Sequence, residues 1–249
     1  MQKPLPRNDL ALGPLYKRVK ALLTEGLVRG DWKANDALPS ESRLAEQFDV
    51  SIGTVRKAID ELVAEKILIR QQGRGTFVAA HTADRYLYHF FHVVGADGRK
   101  LFPTTELLLF AKERPDARVA ARLGLARNGR VLHIRNLLRL DGQAAEVDEL
   151  FISAAMFPDL TREMFENRPG TIYQLYQEHY GVNIIRTSER LRAGAAGAME
   201  AALLGLAEHT PVLNIERVAY TYSDMPIELR YSTVDTQEHV YLSDLEKTS

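Results

Sequence analysis

Apolar residues in the first third of the chain recur at helical spacing in three separate runs. Leu15, Val19, Leu22, Leu23 and Leu27 predict an amphipathic helix that opens at Pro14 and runs to about Arg29, where Gly30 is placed to stop it. Leu44, Ala45 and Phe48 give a second helix its inner face, with Ser40 as N-cap and Glu41 at the positive end of the dipole. Asp49-Val50-Ser51 makes a short turn, and Ser51 caps a third helix reaching about Lys66, with Val55, Ile59, Leu62 and Val63 inward. Residues 67–70 and 76–78 then read as two short strands joined across Gln71-Gln72-Gly73-Arg74-Gly75.

After residue 85 the pattern alternates between the two periods. An aromatic-rich strand is expected over 86–94, a hairpin turn at Asp97-Gly98 and a second strand over 101–111. Pro115 opens a helix that ends at Leu123-Gly124, and 131–140 with 144–152 form a hairpin across Asp141-Gly142. Thr171 caps a helix over 172–180 closed by Gly181; a strand over 182–193 and a helix over 197–204 follow. The chain also repeats itself. Leu123-Gly124-Leu125-Ala126 with Val131-Leu132-x-Ile134 returns as Leu204-Gly205-Leu206-Ala207 with Val212-Leu213-x-Ile215, 81 residues later. Two copies are too few for a solenoid, so the repeat predicts one pseudo-symmetric α+β domain whose hairpins share an antiparallel sheet.

With 249 residues, 45% of them hydrophobic, the chain can bury the cores of two ordinary domains. It has no cysteine, which excludes disulfides, thiolate nucleophiles and cysteine-ligated zinc. Met1-Gln2-Lys3-Pro4 lacks the apolar run of a signal peptide and no stretch approaches a membrane span, so a cytoplasmic chain with no membrane partner is expected. The net charge of −1 divides into about +3 over residues 1–80 and −4 over the remainder. That asymmetry is mild; a local basic face would matter more than the total.

Two short helices joined by a tight turn make a helix-turn-helix. Thr54, Arg56 and Lys57 lie off the inward stripe of the third helix, near the start, where a recognition helix meets base edges and phosphates. Gly73 and Gly75 flank Arg74 and allow a sharp tip to approach a groove. A phosphate loop would need a helix after these glycines, and none is predicted. Taken singly, Arg56 and Lys57 are a solvated helix face; in this helix, turn, helix and hairpin order they predict a DNA-reading surface.

The run Leu38-Pro39-Ser40-Glu41, Leu44-Ala45-Glu46-Gln47-Phe48, Val50-Ser51, Thr54-Val55-Arg56 and Gly73-Arg74-Gly75-Thr76-Phe77-Val78 resembles the winged helix-turn-helix of the GntR family of bacterial transcription regulators. The resemblance implies contacts to DNA from Ser42, Ser51, Thr54, Arg56, Gln72 and Gly73. Ile52-Gly53 stands where the family often has arginine after the turn serine, and Arg43, Lys57 and Arg74 are candidates to compensate. Residues 84–245 resemble the UTRA effector-binding domain of the HutC subfamily. The likeness rests on Val-Leu-x-Ile, Asp-Gly, Phe157-Pro158-Asp159-Leu160, Tyr180-Gly181-Val182 and Leu204-Gly205. That domain is similar in fold to chorismate lyase and serves as a small-molecule sensor. The expected architecture is therefore α+β: a winged helix-turn-helix over 10–80, a linker over 81–85, and an antiparallel-sheet effector and dimerisation domain over 86–246.

Strand alternation puts His133 with Arg135, Glu146 with Asp148, and Glu228 with Arg230 and Ser232, each set on one face. The resemblance places a pocket between the hairpins, with hydroxyls from Thr104 and Thr105. It sets His133 and Arg135 in the place of paired arginines, Asp148 where glutamate is usual, and Glu228 at an acidic position. Arg135 offers a fork matching a carboxylate or phosphate, so a small metabolite with an anionic end is expected, held by these residues and Arg230. Mutual pairing of the same charges on a solvated sheet face is the alternative. Tyr220, Tyr222 and Tyr231 read as core or rim rather than as a stacking box.

No catalytic residue, metal or cofactor is expected. His89-x-x-His92 falls on a predicted strand, where residues three apart point to opposite faces, and neither Gly-x-Ser-x-Gly nor His-Glu-x-x-His occurs. The resemblance implies a homodimeric repressor that binds double-stranded operator DNA and responds to a small-molecule effector. A lyase-like enzyme fused to a DNA-binding domain, and a DNA binder without an effector, are the competing readings.

Overall fold

The computed structural model describes residues 14–82 and 89–243, which form two compact units. The first runs to His81 and takes in Tyr176–Ile185; the second comprises Thr82–Leu175 and the chain from Arg186.

In the first unit, helices α1 (Leu15–Arg29), α2 (Glu41–Phe48) and α3 (Ile52–Ala64) precede the ribbon of β1 (Leu68–Gln71) and β2 (Gly75–Val78). Gly30 at φ 79 ends α1, and Asp49 at φ 52 ends α2 in the left-handed region, tightening the turn into Ser51. Val19, Leu23, Leu44, Phe48, Val55, Ile59 and Leu62 are buried as their spacing predicts. Leu15 is half exposed, because the first turn of α1 precedes the part packed on the core. Gly26 is required by close approach: a Cβ there would lie 2.5 Å from a ring carbon of Trp32. The ribbon pairs from Leu68↔Val78 to Gln71↔Gly75.

Residues 176–185, which the sequence places in the second domain, belong to this unit through a hydrogen-bonded knot. Gln177 Nε2 donates to the Ala79 carbonyl at 3.0 Å, and Gln177 Oε1 accepts from the His81 N–H at 2.8 Å. His81 Nε2 accepts from the Ile184 N–H at 3.1 Å.

The second unit contains, in chain order, β3 (Val93–Gly95), β4 (Thr104–Glu113), α4 (Ala117–Arg122), β5 (Val131–Leu140), β6 (Gln143–Ser153), α5 (Arg162–Glu166) and the first turn of α6 (Ile172–Tyr180). It continues with β7 (Arg186–Ala195), α7 (Ala198–Leu204), β8 (Pro211–Tyr220), β9 (Pro226–Asp235) and β10 (His239–Tyr241). Six strands make one antiparallel sheet in the order β4-β5-β6-β9-β8-β7. The repeat is visible in this order: strand, helix and hairpin appear twice, and the two copies meet where β6 pairs with β9. Asp141 and Gly142, both at positive φ, turn the first hairpin; a short 3₁₀ segment, Tyr222–Asp224, turns the second.

One face of the sheet is covered by the repeated helices. Val119 and Leu123 of α4 and its end pack with Val131, Val218 and Leu229, and Leu204 of α7 packs with Leu137 and Val147. The opposite face carries a belt of buried polar side chains.

Two expectations fail here. Of the strand predicted over 86–94, residues 86–88 lie outside the described ones, His89 is helical rather than extended, and the described strand is Val93–Gly95. Asp97-Gly98 turns the chain without making a hairpin, because β3 pairs with β10 while β4 pairs with β5. A turn signal marks where the chain bends; pairing depends on the partner the fold supplies. Among the described residues no helix is long and apolar enough to cross a membrane.

Candidate functional site

The two helices of the reading head are locally capped. The Arg43 N–H donates to Ser40 Oγ and the Thr54 N–H to Ser51 Oγ, each at 3.2 Å, and the Ser51 and Thr54 hydroxyls lie 2.9 Å apart. Ser42 and Arg43 are exposed on the first turn of α2, and Arg56 on α3. The Arg56 guanidinium donates to Glu41 at 2.9 Å, and Arg70 contacts Glu41 and Asp60 at 3.2 and 2.7 Å. Glu41, Arg56, Arg70 and Gln72 border a shallow groove between α3 and the ribbon. Lys57 points elsewhere, its ammonium 4.2 Å from the centroid of the Tyr16 ring. Gln72, Gly73 and Arg74 form the exposed tip, with Gly73 at φ 72 and Gly75 at φ 117, angles that a side chain would strain. Ile52 is 44% exposed at the start of α3, which is unusual for a residue of its apolar character.

In the second unit, Thr105, Asn136, Asp148 and Arg230 border a cavity closed on its other side by Phe165, Arg168 and residues 170–172 at the start of α6. Its volume is about 40 Å³. Arg230 Nη1 donates to Asp148 at 2.9 Å and its Nε donates to Glu228 at 3.0 Å, while Nη2 lies 2.8 Å from the same Glu228 oxygen as an ion-pair contact. Ser232 donates to Asp148, and the Tyr173 hydroxyl donates to Glu228 at 3.3 Å. Burial pushes the Glu146 carboxyl well above the ordinary 4.5, and the neighbouring Asp148 adds to the shift. Asn136 is 4% exposed, and its Oδ1 has no hydrogen-bond partner among the described residues.

The predicted effector set is therefore split by the sheet. Thr105, Asp148 and Arg230 line the cavity, and Glu228 lies just behind Arg230. His133 and Arg135 do not join them. Paired residues of antiparallel strands share a face, and the register sets Asn136 opposite Asp148 but Arg135 opposite Glu149 and His133 opposite Phe151. Both basic residues contact Glu149; His133 Nδ1 also reaches Glu113 at 3.1 Å and its ring stacks on Phe151. The hydrogen bond that His133 donates to the Glu149 carboxylate raises the His133 pKa, with burial opposing it. Thr104, opposite Arg139, likewise falls on the far face, and it is exposed. Asn136, Arg168 and Thr171 also line the cavity, and the sequence reading did not single them out. The pairing of 131–140 with 144–152 already contained the signal for Asn136, since it shares a face with Asp148. Tyr222 is buried and Tyr220 and Tyr231 pack against the α4 cluster, so the three tyrosines are core and rim.

Comparison with known proteins agrees with both halves. Residues 15–78 match the family described as bacterial regulatory proteins, gntR family, and residues 98–239 match the UTRA domain. The chain is 28% identical over 217 residues to the "Probable fructoselysine utilization operon transcriptional repressor" of Escherichia coli (strain K12), covering 86% of this chain and 88% of that protein. It is 29% identical over 214 residues to the histidine utilization repressor of Klebsiella aerogenes, covering 85% and 86%. The crystal structure of PhnF from Mycobacterium smegmatis superposes with a TM-score of 0.53 at 25% identity, over 92% of this chain and 99% of that one. A capped helix-turn-helix with its glycine-tipped ribbon, joined to a twice-repeated sheet with a polar cavity, thus places this chain in the GntR family as a DNA-binding transcription regulator with a UTRA effector-binding domain.

Proposed function

We propose that this regulator is a cytoplasmic, homodimeric repressor that leaves its operator when a small metabolite occupies the cavity bordered by Asp148 and Arg230. The observation that carries the reading is the presence, in one chain, of an exposed reading head and a buried polar cavity with an unsatisfied Asn136. Two relatives named as repressors of fructoselysine and histidine utilization support repression under small-molecule control. Dimerisation is supported by the shortness of α3: one such helix reads few base pairs, and two-fold operators multiply affinity. The DNA contacts are assigned to Ser42, Arg43, Ser51, Thr54, Arg56, Gln72, Gly73 and Arg74. The second domain acts as a sensor without turnover.

Fluorescence anisotropy with duplexes from the gene's own upstream region, titrated with and without metabolites, tests the reading. A preferred sequence released by one metabolite is expected. Sequence-independent binding that no metabolite alters would overturn it, and consumption of a bound metabolite by the purified chain would overturn the sensor assignment.

A further inference from the structure

Four charged side chains tie the parts of the reading head together. Glu41 lies in the first turn of α2, Arg56 and Asp60 on the exposed side of α3, and Arg70 on β1 opposite Thr76. The Glu41 carboxylate accepts from Arg56 Nε at 2.9 Å through one oxygen and from Arg70 Nη2 at 3.2 Å through the other. The same Arg70 nitrogen lies 2.7 Å from Asp60. Two guanidiniums and two carboxylates thus form one set whose formal charge is zero.

The place of the set decides what that neutrality does. Glu41, Arg56 and Arg70 border the shallow groove between α3 and the ribbon, next to Gln72 and Gly73 of the tip. A strand of DNA backbone flanks any helix seated in the major groove, so phosphates would pass close to these side chains. Unpaired arginines there would add phosphate contacts on DNA of every sequence, and such contacts raise affinity without carrying sequence information. Glu41 and Asp60 cancel that attraction. The pairs are largely exposed and contribute little to stability, so their main physical effect is on the charge that DNA meets.

We propose that Glu41 and Asp60 set the sequence discrimination of the head by holding Arg56 and Arg70 off the phosphates of non-operator DNA. The inference rests on the reading of α3 as the recognition helix. On an operator, a base edge in register takes the Arg56 guanidinium, and Glu41 keeps Arg70 as its counterion. On other sequences no base edge favours the exchange. Arg56 then stays with Glu41, and the set offers phosphates no net charge. Discrimination arises from this weakening of wrong complexes as much as from contacts in the right one.

Fluorescence anisotropy on the full chain tests this with two duplexes of equal length. One is the segment of the gene's own upstream region that the chain protects in a footprint, and the other holds the same bases shuffled. Glu41→Gln is expected to tighten the shuffled duplex about tenfold at low salt and the operator less, so that the ratio of affinities falls at least about threefold. The log–log salt slope on the shuffled duplex should steepen by about 0.9 to 1.8, the gain of one or two phosphate contacts. Asp60→Asn, placed away from the start of α2, should also steepen it, and this variant carries the test if Glu41→Gln disturbs the helix start. Equal tightening of both duplexes, or an unchanged slope on the shuffled one, overturns the proposal. A purely structural role would weaken both duplexes together, and that result overturns it as well. A parent chain that protects no segment removes the recognition-helix reading itself. A clear footprint whose affinity ratio survives both substitutions removes only the discriminating role of the two carboxylates.

Discussion

Arg230 donates to Asp148 at 2.9 Å across the seam where β6 meets β9, with both side chains almost wholly out of water. The seam is also where the two copies of the internal repeat join, so neither copy alone contains the pair.

Removing the cation should therefore cost more than any single charge deletion at the surface. Arg230→Met leaves Asp148 and Glu228 buried without their shared partner, and a loss of about 3–5 kcal/mol in unfolding free energy is expected. Urea denaturation followed by circular dichroism measures it. A loss below about 1 kcal/mol, the scale of an exposed pair, would show that water reaches the seam.

Glu146 gives the protein a pH-dependent stability of predictable sign. Its folded pKa lies above the ordinary 4.5, chiefly through burial and then through Asp148, so the folded chain holds a proton that the unfolded chain releases. The associated stability is complete below 4.5 and declines as pH rises to the folded value. Glu146→Gln should flatten this slope and raise the melting temperature on the alkaline side relative to the parent. Parallel melting curves across pH for parent and variant check it.

His133 and Arg135 should be dispensable for the effector response, because they lie on the face away from the cavity. Arg135→Ala should leave metabolite-driven release of DNA intact. The same region titrates at a higher pH than a free imidazole: Glu149 holds the His133 pKa above 6.5, so its stabilisation is present below 6.5 and fades as pH rises past the raised value. Glu149→Gln should return the His133 resonance in an NMR titration towards 6.5. An unmoved resonance would contradict the contact.

Arg56 should read DNA at the cost of its bond to Glu41. Arg56→Ala is expected to weaken operator binding by about 1–3 kcal/mol if it meets a base edge, and Glu41→Gln to tighten binding at low salt by releasing Arg56 and Arg70. Anisotropy over a salt series distinguishes a base contact from a phosphate contact, since only the latter lowers the salt slope.

If α3 is the recognition helix, Ile52 should offer DNA a methyl-bearing surface at the position where the family often has arginine. Its 44% exposure at the head of α3 suits contact with a thymine methyl. Ile52→Ala should cost about 1 kcal/mol of operator affinity, the worth of one or two buried methyl groups. Replacing the contacted thymine by deoxyuridine should produce the same loss, and the two changes together should not add.

Much of the reading head was legible because its determinants are local. Ser40 and Ser51 cap the helices that follow them, Gly30 ends α1, and the apolar spacing of Val55, Ile59 and Leu62 fixes which side of α3 stays exposed. The repeat was legible for a similar reason: matching tetrapeptides 81 residues apart imply matching units. The lining of the cavity was only half legible. Asp148 and Arg230 border it as the candidate set expected, whereas Arg135, chosen by the resemblance and its charge, lies on the other face and Asn136 takes the lining position; β3 was given β4 as a neighbour when its partner comes from the far end of the second unit.

From the order of its residues alone, the chain declares a winged helix-turn-helix, a duplicated α+β domain and the positions of nearly all turns, since caps, glycines and hydrophobic periods act over a few residues. Which side chains share a cavity was settled only by tertiary pairing. A strand presents two faces, and a single step in register exchanges them. Asn136 and Arg135 are neighbours in the chain, and the pairing with β6 decides that the first faces the cavity and the second meets Glu149.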